Sequence, residues 1–344
     1  MKAAFSILAV VTLLVTYSCT REDNGSVTSG EQAYGQKYGA PAATVSTENP
    51  SAVAATGPLA YAPNIPAAAN GNTVDVRIDV QHKLVTVTKG IQVMAWVFGD
   101  SVPGPVVKVK MGQTVRFKMT NRSLETATIS PPMQHSIDFH AAMVNPEDKY
   151  RSVNPGETIS FEWTANYPGV FMYHCGTPLI LQHMIQGMIG MVIVEPENGF
   201  PGKVDKEFAL IENEWYIRQK EDGSYMIDLE SARKKQPMFV AFNGKPRLHV
   251  KNPLMVKAGD RVRLYVCNTG PNDESSFHVV GVLFDKVWID GNPRNEMRGM
   301  QTVLLPASGG AIVEFVVPEK GIYTFVDHEF ADVESGAAGL IKAE

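Results

Sequence analysis

The residues FMYHCGTPLILQHMIQGM, at positions 171 to 188, bring metal-binding side chains together in a chain with only eight histidines and three cysteines. These side chains belong to His174, Cys175, His183 and Met188. Two imidazoles, a thiolate and a weakly bound thioether form the ligand set of a blue-copper electron-transfer centre, because soft sulfur and borderline nitrogen donors suit copper. Cys175, His183 and Met188 supply three of these ligands. The fourth is expected from HSIDFHA, at positions 135 to 141.

Strand geometry divides these side chains between two faces. Successive residues of a β-strand point to opposite faces, so an inward Cys175 leaves His174 pointing outward. The same alternation puts His135 on one face of its strand and Asp138 with His140 on the other. The outer face therefore carries two histidines and a carboxylate, an incomplete metal site that needs a partner surface.

Each of these residues could also have a purely structural role, since a lone methionine or buried cysteine is usually part of a hydrophobic core. Four such accidents in one register are improbable, so the metal interpretation is preferred. Three other candidates are given a purely structural role: Cys267 is assigned to the core, and His82 and His249 to the surface or core.

Composition excludes two classes of partner. The chain has 344 residues, 44% of them hydrophobic, a formal charge of -5 and scattered rather than clustered Lys and Arg. Such a surface offers no electrostatic footprint for nucleic acid or for anionic membrane. Because no C-x-x-C-H motif occurs, no haem is expected on the chain.

The N-terminal segment predicts export and tethering. Residues 1–19 combine an early Lys2 with a short apolar run, which indicates a secretory signal rather than a membrane span. The cysteine after VTYS suggests a lipoprotein-type signal with lipid attached at Cys19; ordinary cleavage that leaves a soluble protein is the alternative. Residues 20–71 lack apolar periodicity, which predicts a flexible tether. These features predict a bacterial cell-envelope protein, in the periplasm or on the outer membrane.

From residue 72 the sequence predicts an all-β fold. VDVRIDV (74 to 80) alternates apolar and charged residues with period two, as a half-buried strand does. Many similar short strands follow, and only DLESARKKQ (228 to 236) could form a short helix. This pattern is typical of a β-sandwich.

An internal repeat indicates two copies of that sandwich. VKMGQTVRFKMTN (109 to 121) aligns with VKAGDRVRLYVCN (256 to 268) as V-K-x-G-x-x-V-R. The Pro- and Gly-rich segment EPENGFPGK (195 to 203) predicts a boundary between domains at residues 72–198 and 199–344.

The chain from about residue 73 resembles the copper-containing nitrite reductases, which are built from two tandem cupredoxin-type Greek-key β-sandwich domains. The resemblance is to the lipid-anchored branch of the family. It is carried by HSIDFHA, YHCGTPLILQHMIQGM, SSFHVVGVLFDKVW and GIYTFVDHEF, which occur in family order.

The resemblance implies two copper ions per chain and a role for each matching residue. The ligands of the type 1 copper would be His135, Cys175, His183 and Met188. The ligands of the type 2 copper would be His140, His174 and His328, the last reaching across from a neighbouring subunit of a homotrimer. Asp138 and His278 match the proton-handling pair, while Val280 stands in the substrate pocket where the family usually has Ile.

The function implied is one-electron reduction of nitrite to nitric oxide, fed by a small donor protein, either a cupredoxin or a c-type cytochrome. A multicopper oxidase with a trinuclear cluster needs more histidines than the eight present. A blue-copper electron carrier or copper-binding envelope lipoprotein without catalysis is the other alternative. It leaves the register of the outer histidines unexplained. One copper per chain would indicate the carrier, and two the reductase.

Overall fold

The computed structural model describes residues 56–57 and 65–344. The signal peptide predicted at residues 1–19, its Cys19 and most of the tether predicted at residues 20–71 lie outside the described residues. Within the described part, no helix is long and apolar enough to cross a membrane.

Among the described residues, ten strands and two short helices precede residue 196. The strands are Thr56–Gly57 (β1), Thr73–Arg77 (β2), Val80–Thr88 (β3), Ile91–Phe98 (β4), Val106–Lys110 (β5), Thr114–Thr120 (β6), Asp138–Phe139 (β7), Thr158–Thr164 (β8), Gly169–His174 (β9) and Ile189–Glu195 (β10). The helices are Pro146–Lys149 (α1) and Ile180–Ile185 (α2). A 3₁₀ turn spans Ser123–Thr126.

These strands build a first sandwich. One sheet has the order β1-β5-β10-β9-β7, a second has β2-β6-β8, and β3 pairs with β4 in a hairpin. The apolar residues of the VDVRIDV stretch are all buried in the core between the sheets, as their alternation predicts: Val74, Val76, Ile78 and Val80.

Thirteen strands and three helices form a second sandwich. The strands are Lys206–Trp215 (β11), Ile217–Gln219 (β12), Tyr225–Ile227 (β13), Phe239–Phe242 (β14), Leu254–Val256 (β15), Arg261–Asn268 (β16), Ser275–Val279 (β17), Lys286–Ile289 (β18), Glu296–Met297 (β19), Thr302–Leu305 (β20), Gly310–Val316 (β21), Gly321–Asp327 (β22) and Ala338–Ala343 (β23). The helices are Leu229–Arg233 (α3), Leu248–Lys251 (α4) and Phe330–Ser335 (α5).

The second sandwich has larger sheets than the first. Their orders are β14-β11-β16-β21-β18-β19 and β15-β23-β22-β17-β20, with β12-β13 as a separate hairpin. The helix α3 lies within the stretch 228 to 236, where the sequence allows one, and the Asp228 side chain caps it by accepting from Glu230 N at 3.3 Å. The all-β architecture of two tandem sandwiches is confirmed. The boundary between residues 198 and 199 stays a prediction, and it falls in the link between β10 and β11.

The sequence repeat corresponds to one turn built twice. Gly112 and Gly259, the shared glycines of V-K-x-G-x-x-V-R, have φ angles of +88° and +87°. A residue with a Cβ rarely adopts this conformation. In the first turn Lys110 N donates to Gln113 Oε1 at 2.7 Å. In the second, Lys257 N donates to the Asp260 carboxylate at 2.7 Å, so the two copies share backbone conformation and hydrogen bonding.

The strand β9 is covered on both faces, and this arrangement determines what its end can do. Tyr173 and Cys175 belong to the core of the first sandwich. The alternate residues Val170 and Met172 pack against the second sandwich in a separate cluster. Because side chains alternate along a strand, His174 lies on the same face as Met172, where β9 ends.

Candidate metal centres

An inner group of metal-binding side chains lies in the first sandwich, formed by His135, Cys175 and His183. The Nδ1 atom of His183 is 3.3 Å from the Sγ atom of Cys175 and 3.3 Å from the Nδ1 atom of His135. All three residues are buried. Cys175 directly follows β9, and α2 carries His183, so a strand end and a short helix bring the ligands together.

Met188, the expected axial ligand, is fully buried next to this group. Its backbone carbonyl accepts from Cys175 N at 3.2 Å, and its own N–H donates to the carbonyl of His183 at 3.3 Å. The backbone of Met188 is thus held by two of the other expected ligands, Cys175 and His183. The next residue, Ile189, pairs with His174 in the β9-β10 ladder.

The inner histidines are neutral at physiological pH. Burial, followed by the charge of His183, lowers the pKa of His135 to about 2. Burial lowers the pKa of His183 to about 4. Because neutral imidazoles offer lone pairs, the nitrogens of His135 and His183 can bind a metal without first losing a proton, and they converge on one point with the sulfur of Cys175. The described donors, with the nearby Met188 thioether, fit copper because this soft set suits it better than a hard cation.

The sulfur of Cys175 is also held by Ser136, which lies just before β7. Ser136 N donates to Sγ at 3.3 Å, and Gly176 N donates to the Ser136 hydroxyl at 2.9 Å. Burial raises the pKa of the Cys175 thiol above its ordinary value. A metal that binds here must therefore displace the thiol proton, and the Ser136 N–H stabilises the resulting thiolate.

A second, outer group consists of Asp138, His140 and His174. The Nε2 atoms of the two histidines are 3.1 Å apart, and Oδ2 of Asp138 is 3.8 Å from His174 Nε2. The β7-β9 ladder places Asp138 directly opposite His174. His140 is exposed, and it borders a cleft of about 210 Å³. The face assignments expected from strand alternation are therefore observed.

The tautomer of His174 is fixed by the backbone. Its Nδ1–H donates to the carbonyl of Cys175 at 2.9 Å, which leaves a lone pair on Nε2. Burial and then the charge of His174 lower the pKa of His140, so its Nε2 is also available. Two facing imidazole nitrogens beside a carboxylate are a donor set for a transition metal with open positions.

His278 and His328, the two remaining predicted site histidines, lie together in the second sandwich. Their ring centroids are 5.4 Å apart, and Nδ1 of His278 is 2.5 Å from the carbonyl oxygen of Gln301. Among the described residues, neither joins the group of Asp138, His140 and His174. Val280, the predicted pocket residue, is 50% exposed on the same sandwich. One chain therefore presents the predicted reaction site as two separate halves.

The segment after Ala141 folds into an ordered turn. It contains α1, whose start is capped by the Asn145 side chain, which accepts from Glu147 N at 3.3 Å. Tyr150 then packs on Phe161 and donates to the carbonyl of Phe139 at 3.0 Å. These contacts hold the segment beside β7 and the outer group.

Sequence reasoning missed one residue at the inner group. The sequence assigns His82 only a structural role. The residue is fully buried, and its Nε2 is 2.8 Å from Nε2 of His135. Trp96 stacks on His82 and contacts the rings of His135 and His183. The alternation of the strand could have identified this residue, because His82 lies two positions after Val80 and therefore belongs to the same series of inward-pointing residues. Cys267 and His249 are buried in the second sandwich, in agreement with the core interpretation.

Comparison with known families first defines the class of protein. Two family models, each described as multicopper oxidase, match residues 79–199 and 206–337. Together with the two sandwiches and the inner donor set, they define a copper-binding protein with tandem cupredoxin domains.

Individual relatives then narrow the class. The copper-containing nitrite reductase of Neisseria meningitidis serogroup B is 38% identical over 297 residues, covering 83% of this chain and 73% of the relative. The solved copper nitrite reductase of Nitrosomonas europaea matches with a TM-score of 0.72 and 35% identity, over 79% of this chain and 94% of that one. A solved copper-containing nitrite reductase of Thermus scotoductus matches with a TM-score of 0.71 and 31% identity, over 79% and 62%. The chain belongs to the copper-containing nitrite reductase family.

Proposed function

We propose that the chain reduces nitrite to nitric oxide with two copper ions, one held by each group. His135, Cys175, His183 and Met188 would hold the type 1 ion. His140 and His174 would hold the type 2 ion together with His328 of a neighbouring copy. The observation that supports this most strongly is that His174 and Cys175, adjacent in the chain, belong to different metal-binding groups.

Copper bound at the inner group would accept one electron from a donor, and copper at the outer group would deliver it to nitrite. The residues provide the connection between them. The peptide that joins Cys175 to His174 is the shortest covalent path between the groups, and the hydrogen bond from His174 Nδ1 to the Cys175 carbonyl closes a second path. This local geometry supports directed electron transfer.

Reduction of nitrite to nitric oxide and water consumes protons as well as an electron. Asp138, close to His174 and partly exposed, would donate a proton to a nitrite oxygen. His278 would supply the second proton from the neighbouring copy, and Val280 would limit the space available to nitrite. Positioned acids of this kind typically accelerate a reaction by ~10² to 10⁴.

The division of the site into halves supports an assembly of more than one copy, and the resemblance to the family implies that this assembly is a homotrimer. A head-to-tail contact would bring the half with His278 and His328 of one copy to the half with His140 and His174 of the next. Repeated contacts of this type form a ring when the rotation between neighbouring copies closes, as a trimer requires. A small electron-donor protein, either a cupredoxin or a c-type cytochrome, would reduce the inner copper.

The N-terminal sequence supports placement in the bacterial cell envelope. A signal at residues 1–19 would direct export, and a lipid on Cys19 with the tether at 20–71 would hold the enzyme at a membrane of the cell envelope, in the periplasm or on the outer membrane. Labelling with a radioactive fatty acid, compared between the natural chain and Cys19→Ala, tests this. Unlabelled natural protein would contradict the anchor.

The central test is nitric oxide release under anaerobic conditions by the copper-loaded protein, with nitrite as sole acceptor and a reduced artificial donor. We expect sustained release and two copper ions per chain. His140→Ala should abolish release yet keep the blue colour of the inner centre. A blue natural protein with one copper per chain and no nitric oxide would instead identify an electron carrier.

A further inference from the structure

The inner group has a buried third histidine whose role neither the donor set nor the fold assigns. His82 lies on β3 with 0% of its surface exposed, and both ring nitrogens have one partner each. Its Nε2 is 2.8 Å from His135 Nε2, and its Nδ1 is 2.9 Å from the Ser130 hydroxyl. A buried imidazole with both nitrogens paired is held in one orientation.

The neighbouring tryptophan fixes the plane of this ring. Trp96 lies directly opposite His82 in the β3-β4 ladder. The two rings stack at a centroid distance of 5.4 Å and an interplanar angle of 23°. Trp96 also lies 4.9 Å from the ring of His183. The tryptophan therefore packs against both His82 and the inner donor group.

When a metal is bound, only one arrangement of protons satisfies the hydrogen bonds that link His135, His82 and Ser130. His135 turns Nδ1 towards His183, so the lone pair needed by copper is on Nδ1 and the proton must be on Nε2. That N–H faces Nε2 of His82, which must accept. The proton of His82 is then on Nδ1, where it is donated to the Ser130 hydroxyl.

We propose that His82 is a positioning residue that holds His135 in the copper-binding tautomer and orientation, with Ser130 as the anchor of His82. The proposal rests on the proposed function, because it assumes copper at the inner group. Metal-bound histidines usually donate their other ring N–H to a neighbouring acceptor, which orients the ring and raises its basicity. Here the acceptor is a neutral imidazole instead of a carboxylate or a carbonyl.

The two histidines of the inner group therefore differ. His135 is tethered through Nε2, whereas His183 makes its side-chain hydrogen-bond contacts through Nδ1 alone among the described residues. The structure thus makes His135 the rigid ligand. Loss of its acceptor would leave a buried N–H unpaired, which is destabilising.

A matched pair of variants tests the role in the full copper-loaded chain. His82→Gln keeps an amide oxygen that can reach the position of Nε2 and accept from His135. His82→Asn is also an amide, but it reaches only the position of Nδ1. We expect His82→Asn to weaken copper affinity at the inner group by about 10- to 100-fold, the range found for such outer partners. His82→Gln should retain most of the affinity.

Three readouts separate this role from a general structural one: chelator competition for the inner copper, the blue absorption band and the reduction potential. Removing an acceptor makes His135 less basic, so the potential should rise in His82→Asn. Ser130→Ala should shift all three readouts in the same direction by a smaller amount. Copper retention at the outer group should not change.

A control substitutes another buried histidine. His249 is 1% exposed and hydrogen-bonds to Asn243 in the second sandwich. His249→Asn should leave the blue band and the potential unchanged. If the natural protein is blue and His82→Asn, His82→Gln and Ser130→Ala all match it in affinity, band and potential, the positioning role is wrong. If the natural protein binds no copper at the inner group, the proposed function itself is wrong.

Discussion

The two sandwiches use the same strand pair for different purposes. In the first, Ser136 N donates to Cys175, the residue that follows β9. In the second, Ser276 N donates at 2.9 Å to Asp327, the last residue of β22. The ladders agree, because Asp138 pairs with His174 and His278 pairs with Val326. Matching the ladders therefore aligns Cys175 with Asp327.

The chemistry at this shared position differs sharply. Cys175 is surrounded by imidazoles and fits copper. Asp327 is buried beside Glu212, and burial followed by the charge of Asp327 raises the pKa of Glu212 well above its ordinary value. Asp327 also accepts from Glu329 N at 3.1 Å, which holds the backbone around His328. One sandwich thus provides a metal-binding sulfur, and the other a carboxylate that orders a surface histidine.

The comparison teaches that one backbone frame can support either redox chemistry or the presentation of a ligand. It also aligns Asp138 with His278, the two predicted proton donors. The two halves of the predicted reaction site therefore come from the same place in each sandwich, and only the side chains differ.

The largest effect should follow from giving the first sandwich the residue of the second. Cys175→Asp removes the soft ligand, so the blue colour should vanish and nitric oxide release with a donor to the inner copper should fall to background. Visible absorption and the anaerobic nitrite assay measure both. Cys267→Ser, a change at the other buried cysteine, should keep the colour. Persistent blue colour in Cys175→Asp would contradict the assignment.

The next effect tests the aligned pair of proton donors. Asp138→Asn keeps the size of the side chain but cannot donate a proton as an acid. Turnover should fall by about 10²-fold, within the usual range for general acid catalysis. Copper analysis should still find both ions.

Asp148, exposed on α1, provides the control for that loss. Asp148→Asn should leave turnover unchanged. Equal turnover in the natural chain and Asp138→Asn would show that Asp138 has no such role.

A smaller effect concerns the acidic surroundings of Asp332 in the second sandwich. Burial, followed by the charges of Asp327 and Glu329, raises the pKa of Asp332 from 3.8 to about 7. The folded chain then keeps a proton that the unfolded chain loses at lower pH, so the free energy of unfolding falls as pH rises from 3.8 to about 7.

Asp332→Asn should remove this penalty. We expect its melting temperature to exceed that of the natural chain by about 2 °C at pH 8, a shift typical of a stability change below 1 kcal/mol in a domain of this size. At pH 4 the advantage should be lost. Calorimetry at the two pH values measures it, and an equal gain at both would refute the charge explanation.

The smallest effect should come from the pocket residue. Val280→Ile adds one methylene beside the predicted nitrite position. The KM for nitrite should fall by up to about 4-fold, the equivalent of burying one methylene at ~0.8 kcal/mol. Steady-state kinetics measures this, and Val250→Ile at another exposed valine provides the control. A higher KM in Val280→Ile would reverse the expected direction.

Much of this architecture could be predicted because it is local in sequence. Alternation in the stretch from Val74 to Val80 identifies the buried face, and the repeated glycines at 112 and 259 identify two equivalent turns. The same alternation separates His174 from Cys175. In each case the information lies within a few residues, where the strand period is two.

Other features depend on contacts between distant residues. Parity places His82 inward, but its partner His135 is 53 positions away, and no periodicity identifies which core residue it meets. The short helix α2 was also not predicted, because six residues give too little helical pattern. The separation of His328 from His140 within one chain follows from the packing of whole sandwiches.

The alternation of β9 also limits how the gene can change. A one-residue insertion or deletion within Gly169 to Met172 would reverse the faces of every later residue in the strand. His174 would then turn towards the core and Cys175 towards the surface, and both metal-binding groups would be lost in one event. Insertions and deletions among related sequences should therefore accumulate in the segment after Ala141 and in the link between the sandwiches. The number of residues in β9 should not vary.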